Sequence, residues 1–201
     1  MALHHKIVKN QFPSMEAAIA ELNGTKINVG CLEGEHAWLA SIHEYGCNIR
    51  PKNGGYLTVP CCREAYQRSA RSFSDLFVYT AKSGTKWLAR KKGNSIQVMY
   101  ALMKSVKIPE RSFLRGGFDA HAEDIIEQAE AVLGNVINGT MSVDEFSEMI
   151  GVQLASKIKE FAVDLKSPPK SPMTIASENG KSNPLVDTGD MIGSITYEVA
   201  K

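Results

Sequence analysis

Five side chains between residues 36 and 62 are of types that bind metal: His36, His43, Cys47, Cys61 and Cys62. Zinc sites usually bring their ligands in close pairs, two to four residues apart, on both sides of a loop. His43 and Cys47 make one loose pair, but His36 lies two helical turns from His43 and the two cysteines are adjacent. The spacing therefore favours ordinary structural histidines and small half-buried thiols over a zinc-dependent enzyme. Nucleophile chemistry has no local signature either: there is no G-x-S-x-G, no H-E-x-x-H, and "HEYG" at His43 lacks a second histidine four residues on. With Cys31, the chain holds four cysteines in 201 residues, too sparse for a disulfide framework, so reduced thiols are expected.

"IPERSFLRGGFD", Ile108 to Asp119, offers the ingredients of a phosphate cradle: arginines and a double glycine between a predicted strand and a predicted helix. The residues entering that helix are Asp119, Glu123 and Asp124. Acidic side chains suit the positive end of a helix dipole and repel a phosphate there. The stretch is better read as a joint. Pro109 stops the last meander strand, Phe113 and Leu114 anchor in the core, and Gly116 and Gly117 let the chain turn into the helix.

Charge is divided along the chain. Residues 1–118 carry 17 Lys and Arg against 8 Asp and Glu, residues 119–201 carry 6 against 14, and the net is +1. Such a division suits stacking on neighbours of opposite sign, or a basic side turned toward nucleic acid. Lys82, Lys86, Arg90, Lys91 and Lys92, with Lys104 and Lys107, interleave with Tyr79, Trp87 and Tyr100 and could meet DNA phosphates. Lysines guarding a solvated sheet edge would produce the same pattern.

These residues must be positioned by a fold of modest size. At 201 residues the chain fits one domain spanning 1–201, with no run of about 18 apolar residues to cross a membrane. The N-terminus has no readable secretory signal. Pro13 to Gly24 reads as a helix capped by Ser14, "KINVGCL" as a half-buried strand, and "HAWLASIHEYG" as a helix stopped by Gly46. Two short extended pieces flank the turn "PKNGG". Residues 75–107 read as a three-stranded antiparallel meander, an extension rather than a domain. Apolar positions from Ile125 to Ile137 and from Phe146 to Leu165 recur at helical spacing, with Ser142 and Glu145 placed as a capping box for the second helix. Residues 166–184 are rich in proline and serine and read as loop, and residues 167–184 exclude regular structure on this reading. Thr188 or Asp187 can cap one helical turn before a final strand with Ile195, Tyr197 and Val199 alternating. The expected fold is α+β: one antiparallel or mixed sheet, containing strand 26–32, the meander arm and strand 194–199, packed against two long amphipathic helices.

Three segments then acquire meaning together. "LASIHEYG", with His43, Glu44, Tyr45 and Gly46, "IPERSFLR", with Pro109, Arg111 and Phe113, and "NPLVDTGDMIGSITYEV", with Pro184, Leu185, Asp187, Thr188, Gly189, Ser194 and Ile195, occur in this order. In order and spacing they resemble the neck or tail-completion (head-tail joining) proteins of tailed bacteriophages, akin to the virion morphogenesis proteins of Mu-like phages. Asp190 departs from that pattern, where a variable or basic residue is expected. The resemblance implies a virion structural protein, assembled in the host cytoplasm, with no catalysis and no cofactor. The implied partners are other copies in a ring, head-tail connector proteins, and the tail terminator or tail tube, with contact to packaged DNA possible through the basic meander. Arg111 is implied to fix the strand-to-helix corner or a subunit contact.

Overall fold

The computed structural model describes residues 11–201. In chain order its elements are α1 (Phe12–Gly24), β1 (Lys26–Gly30), α2 (Gly34–Tyr45), β2 (Cys47–Ile49), β3 (Leu57–Pro60), β4 (Phe77–Thr80), β5 (Lys86–Lys92), β6 (Ser95–Met103), β7 (Val106–Ile108), α3 (Phe113–Ile137), α4 (Val143–Asp164), α5 (Pro172–Ser177), α6 (Asp190–Gly193) and β8 (Thr196–Ala200). The fold is α+β with antiparallel strand pairing throughout, as the patterning predicts.

The long helices α3 and α4 form the centre. Ile125 of α3 and Ile150, Leu154, Ala155, Ile158 and Ala162 of α4 bury their apolar stripes against one another, joined by Phe113, Leu185, Met191, Ile192 and Ile195. One predicted stripe member fails: Ile126 is 55% exposed, because the buried face runs through its neighbour Ile125. Where α3 crosses α4, the double glycine has a different role from the turn expected of it. Gly116 and Gly117 lie inside α3, which begins three residues earlier, at Phe113. A Cβ on Gly117 would come 3.2 Å from Ile158 Cα, and one on Gly116 would come 3.1 Å from the Phe161 ring. The pair is there for close helix contact, not for a bend.

The expected single sheet is three. β1 pairs with β8, Lys26 opposite Ala200, as a two-stranded ribbon whose Ile27, Val29 and Tyr197 lean on the α4 core. β2 pairs with β7, and β3 joins the meander in the order β3-β6-β5-β4. The four-stranded sheet ends at β3 and β4, and it buries its inner face separately from the α3–α4 core. Met99, Tyr100 and Ala65 form a second apolar cluster closed by Cys62, Ala70, Phe73 and Leu76 from the segment between β3 and β4. The Tyr100 hydroxyl ties that segment down by donating to Arg68 O at 2.9 Å and Ala65 O at 3.3 Å.

Two local expectations are also corrected. Regular structure does form within 167–184: Ser171 caps α5 by accepting from Thr174 N at 3.1 Å, and Pro172 sits in the first turn, where its missing N–H costs nothing. The proline-rich composition excludes a helix interior, not a helix start. For α1 the capping position is Gln11, and Ser14 sits one turn inside, donating to Gln11 O at 2.7 Å. Among the described residues no helix is long and apolar enough to cross a membrane.

Candidate functional site

The three signature segments meet at one junction. It forms where α2 ends, where β7 passes into α3, and where the chain returns from α4 toward β8. β7 stops at Ile108 ahead of Pro109, whose ring removes a ladder donor; the expected stop of the last meander strand comes earlier, at Met103, because β7 leaves the meander to pair with β2. Ser112 occupies the N-cap of α3, yet its hydroxyl caps nothing in its own helix. The cap comes from α2. Glu44 Oε2 accepts from Leu114 N at 2.9 Å, and Oε1 accepts from Arg115 N at 3.1 Å, from the Ser112 hydroxyl at 2.9 Å and from Arg115 Nε at 2.9 Å. Two of the orphan donors of the helix start are thereby satisfied by a carboxylate 70 residues earlier, at the end of the helix dipole that favours negative charge. Glu44 is 2% exposed. Burial alone would raise its pKa, but the Arg115 guanidinium, the two backbone N–H groups and the Ser112 hydroxyl together hold it below the usual carboxylate value.

Arg115 is shared further. Its Nη2 donates to Glu110 Oε1 at 2.8 Å, and its guanidinium lies over the Tyr45 ring at 4.9 Å. Gly46 follows with φ +67° and ψ 164°, a region only glycine enters freely. A Cβ there would stand 2.7 Å from Glu110 N and 2.9 Å from Ile108 O, so the α2 end and the β7 end are in backbone contact.

Arg111 bolts the joint from the other side and is only 6% exposed. Its backbone N donates to His43 O at 2.7 Å, Nε to Pro168 O at 2.8 Å and Nη2 to Pro169 O at 3.2 Å. Nη1 lies 3.3 Å from His43 Nδ1. Since a guanidinium only donates, that Nδ1 must be the unprotonated, accepting nitrogen. Burial, with the charges of Arg111 and Lys170 nearby, pushes the His43 pKa down to about 4, so the imidazole is neutral. His43 therefore orients and accepts; it has no free nitrogen paired to a nucleophile.

The third segment completes the enclosure. Asn183 Oδ1 accepts from Leu185 N at 2.9 Å and Val186 N at 3.0 Å, which sets the turn that drives Pro184 and Leu185 into the interior. Lys170, paired with the Glu178 carboxylate, also donates to Val186 O at 2.8 Å. Asp187 receives the Tyr66 hydroxyl and faces Lys181 at 3.7 Å, so it does not cap α6, whereas the Thr188 hydroxyl accepts from Asp190 N at 3.4 Å at the start of α6, as expected. The cap position is Gly189 at φ +98°, and the Thr188 hydroxyl donates to Asp190 Oδ2 at 2.7 Å. Ser194 donates to Met191 O at 2.8 Å, and Ile195 is 1% exposed. A cavity of about 800 Å³, mainly apolar, lies among these segments and is bordered by Arg111, His43, Leu185 and Met191.

The remaining candidates disperse. Among the described residues no group of three or more His, Cys, Asp or Glu side chains could hold a metal ion. Cys61 faces Val59 O and Cys62 faces Met99 Sδ, and burial pushes the Cys61 thiol up to about 11, far from a reactive thiolate. Of the basic meander residues, Arg90 is held by Glu64 at 2.5 Å and by Gln97. Lys86 lies over the Tyr56 ring. Lys82, Lys91 and Lys92 are exposed and form no ion pair among the described residues. Sequence reasoning missed Tyr66, Arg115, Lys170 and Glu178. One signal was available for Arg115: a serine N-cap followed three residues later by arginine, not glutamate, cannot form a capping box and implies a cap from elsewhere. No local pattern announces the Tyr66–Asp187 bond across 121 residues.

Compared with protein-family models, with curated proteins and with solved structures, the chain gives no match in any of the three.

Proposed function

We propose that the chain is a structural protein of the tailed-phage virion, acting at the neck in tail completion or head-tail joining, with no reaction to catalyse. One observation carries the reading beyond the sequence resemblance. The signature residues of the first two segments hold one corner together, Glu44 taking four donors from the start of α3 and His43 meeting Arg111, while Asp187 of the third segment is fixed by Tyr66 and Lys181. A motif set spent on one rigid corner is what a scaffold needs in order to present its outer surfaces at fixed angles to neighbours.

Those surfaces suit subunit contact. Trp38 and Tyr45, two turns apart on α2, are 64% and 65% exposed. Exposed aromatics of this kind are enriched at protein interfaces, where they bury large area at little entropic cost. The assembly would be a ring of this chain, meeting connector proteins on one side and the tail terminator or tube on the other. The test is electron microscopy of particles assembled with and without the gene. Full heads and tails left unjoined, or tails with faulty ends, are expected; normal joined particles would overturn the reading.

A second reading has its own observation. Lys82, Lys91 and Lys92 stand at the two hairpin turns of the meander, exposed and without carboxylate partners among the described residues, as phosphate-contacting lysines must be. Duplex-DNA affinity that falls steeply with salt and is lost in a K91A/K92A variant would support DNA contact. Passage through heparin at low salt would remove it.

A further inference from the structure

The cavity beside the junction has a wall of unusual kind. Ser105, Val106, Lys107, Ile108 and Pro109 all border it. Successive residues of a strand point to opposite faces, so a cavity lying over one face would touch every second residue. One that touches them all also reaches the strand's backbone. Among the described residues β7 pairs only with β2, and its other edge meets no strand. A free strand edge next to an apolar hollow is the geometry by which extended peptides are bound: main-chain bonds to the edge, side chains into the hollow.

The hollow also carries a charge without an opposite. Arg111, 6% exposed, commits Nε to Pro168 O, one Nη2 hydrogen to Pro169 O and one Nη1 hydrogen to His43 Nδ1. One N–H remains on each terminal nitrogen, able to donate to a further acceptor such as a carboxylate. No carboxylate among the described residues lies within ion-pair distance of it. The other buried charges at this wall are matched, Lys170 with Glu178 and Asp187 with Lys181 and Tyr66. His36, which also borders the cavity, keeps a buried Nδ1 without a hydrogen-bond partner.

We propose that this cavity is a peptide-docking groove: an extended segment of a partner protein adds as a strand to the free edge of β7, sends apolar side chains into the hollow, and gives one carboxylate to Arg111. The carboxylate must come from outside, and residues 1–10 of this chain contain no Asp or Glu to supply it. The groove is a property of the fold and stands whether or not the chain joins heads to tails.

The experiment is a selection of random octapeptides displayed against the full-length chain, followed by binding of the enriched peptides in solution. Peptides with alternating apolar residues and one Asp or Glu are expected. Replacing that acid by its amide, or Met173→Trp, which adds bulk at the cavity wall, should each weaken binding about tenfold or more. Arg111→Lys, which keeps the charge but loses the planar guanidinium, should weaken it less. Amide exchange should slow, when peptide is bound, at those residues of β7 whose N–H faces away from β2. No enrichment, or binding unchanged in M173W with circular dichroism matching the parent, overturns the proposal. So does tight binding of decanoate without any peptide selected, which would make the groove a small-molecule site. Peptide affinity that falls as the protein is concentrated would assign the groove to a second copy and overturn the partner assignment.

Discussion

The two long helices begin in opposite ways. α4 is capped from within its own first turn: Ser142 Oγ accepts from Glu145 N at 3.1 Å while Glu145 Oε2 accepts from Ser142 N at 2.8 Å, the reciprocal box. α3 is capped by Glu44, borrowed from the end of α2. In α4 a hydroxyl takes the N3 N–H and a carboxylate the N-cap N–H, in α3 one carboxylate takes the N2 and N3 N–H groups, and only the second arrangement makes the helix start depend on a distant segment. A local cap stabilises a helix; a borrowed one fixes an angle between helices. The signature residues cluster around the borrowed cap and not around the local one.

The comparison breaks most readily at Gly46. Gly46→Ala puts a Cβ against Glu110 N and Ile108 O in a backbone region closed to alanine. The expected loss is at least about 3 kcal/mol, read as failure to accumulate folded protein or a large drop in urea midpoint. Next comes Glu44→Ala, which strands two backbone N–H groups and the Ser112 hydroxyl at a buried site. About 2–4 kcal/mol is expected, with Glu44→Gln less severe because one oxygen still accepts. If Glu44→Ala costs no more than an ordinary surface cap, the junction is not held as described.

How much of this was legible follows from where each partner lies. The stripes of α3 and α4, the Ser142 box, the α2 stop at Gly46 and the alternation of Tyr197 and Val199 all rest on residues within a few positions of one another, and the sequence displays them. The Gly116–Gly117 pair misled because the ring and the Ile158 backbone that demand small residues lie about 40 positions downstream. The split into three sheets depends on which strands pair across long sequence separations, β1 with β8 and β2 with β7, and alternation does not encode that. α5 was missed because proline counts against a helix by composition while favouring its first turn by position. At the candidate site the sequence named one side of most contacts, Glu44, Arg111 and Asp187, and left their partners Leu114, Pro168 and Tyr66 unread.

The pH response sharpens the comparison further. His43 has a folded pKa of about 4 against an ordinary 6.5, so between those values the unfolded chain binds more protons than the folded one. The junction's stability is therefore complete above about pH 6.5 and is lost as pH falls toward 4. Glu44, also depressed, adds a loss of the same sign at still lower pH. Because His43 is only partly shielded from solvent, about 1–2 kcal/mol is expected between pH 7 and 5. Urea titrations at both pH values should show it in the parent and not in His43→Gln, whose amide oxygen can still accept from Arg111. An equal pH slope in the two proteins would place the titration elsewhere.

The smallest effect is expected at the local cap, and its reach matters more than its size. Ser142→Ala removes the acceptor for Glu145 N and should cost about 1 kcal/mol. Because both partners lie in one turn, faster amide exchange should be confined to the first turn of α4, near Val143 to Phe146. Glu44→Ala, by contrast, should speed exchange at Leu114 and Arg115, at the α2 end, and in the segment around Pro168 that Arg111 holds. The contrast lies in the pattern of exchange, and it survives even if the two energies prove similar. Exchange spreading from Ser142→Ala into α2, or staying local in Glu44→Ala, would erase the distinction between a cap that stabilises a helix and one that sets a corner.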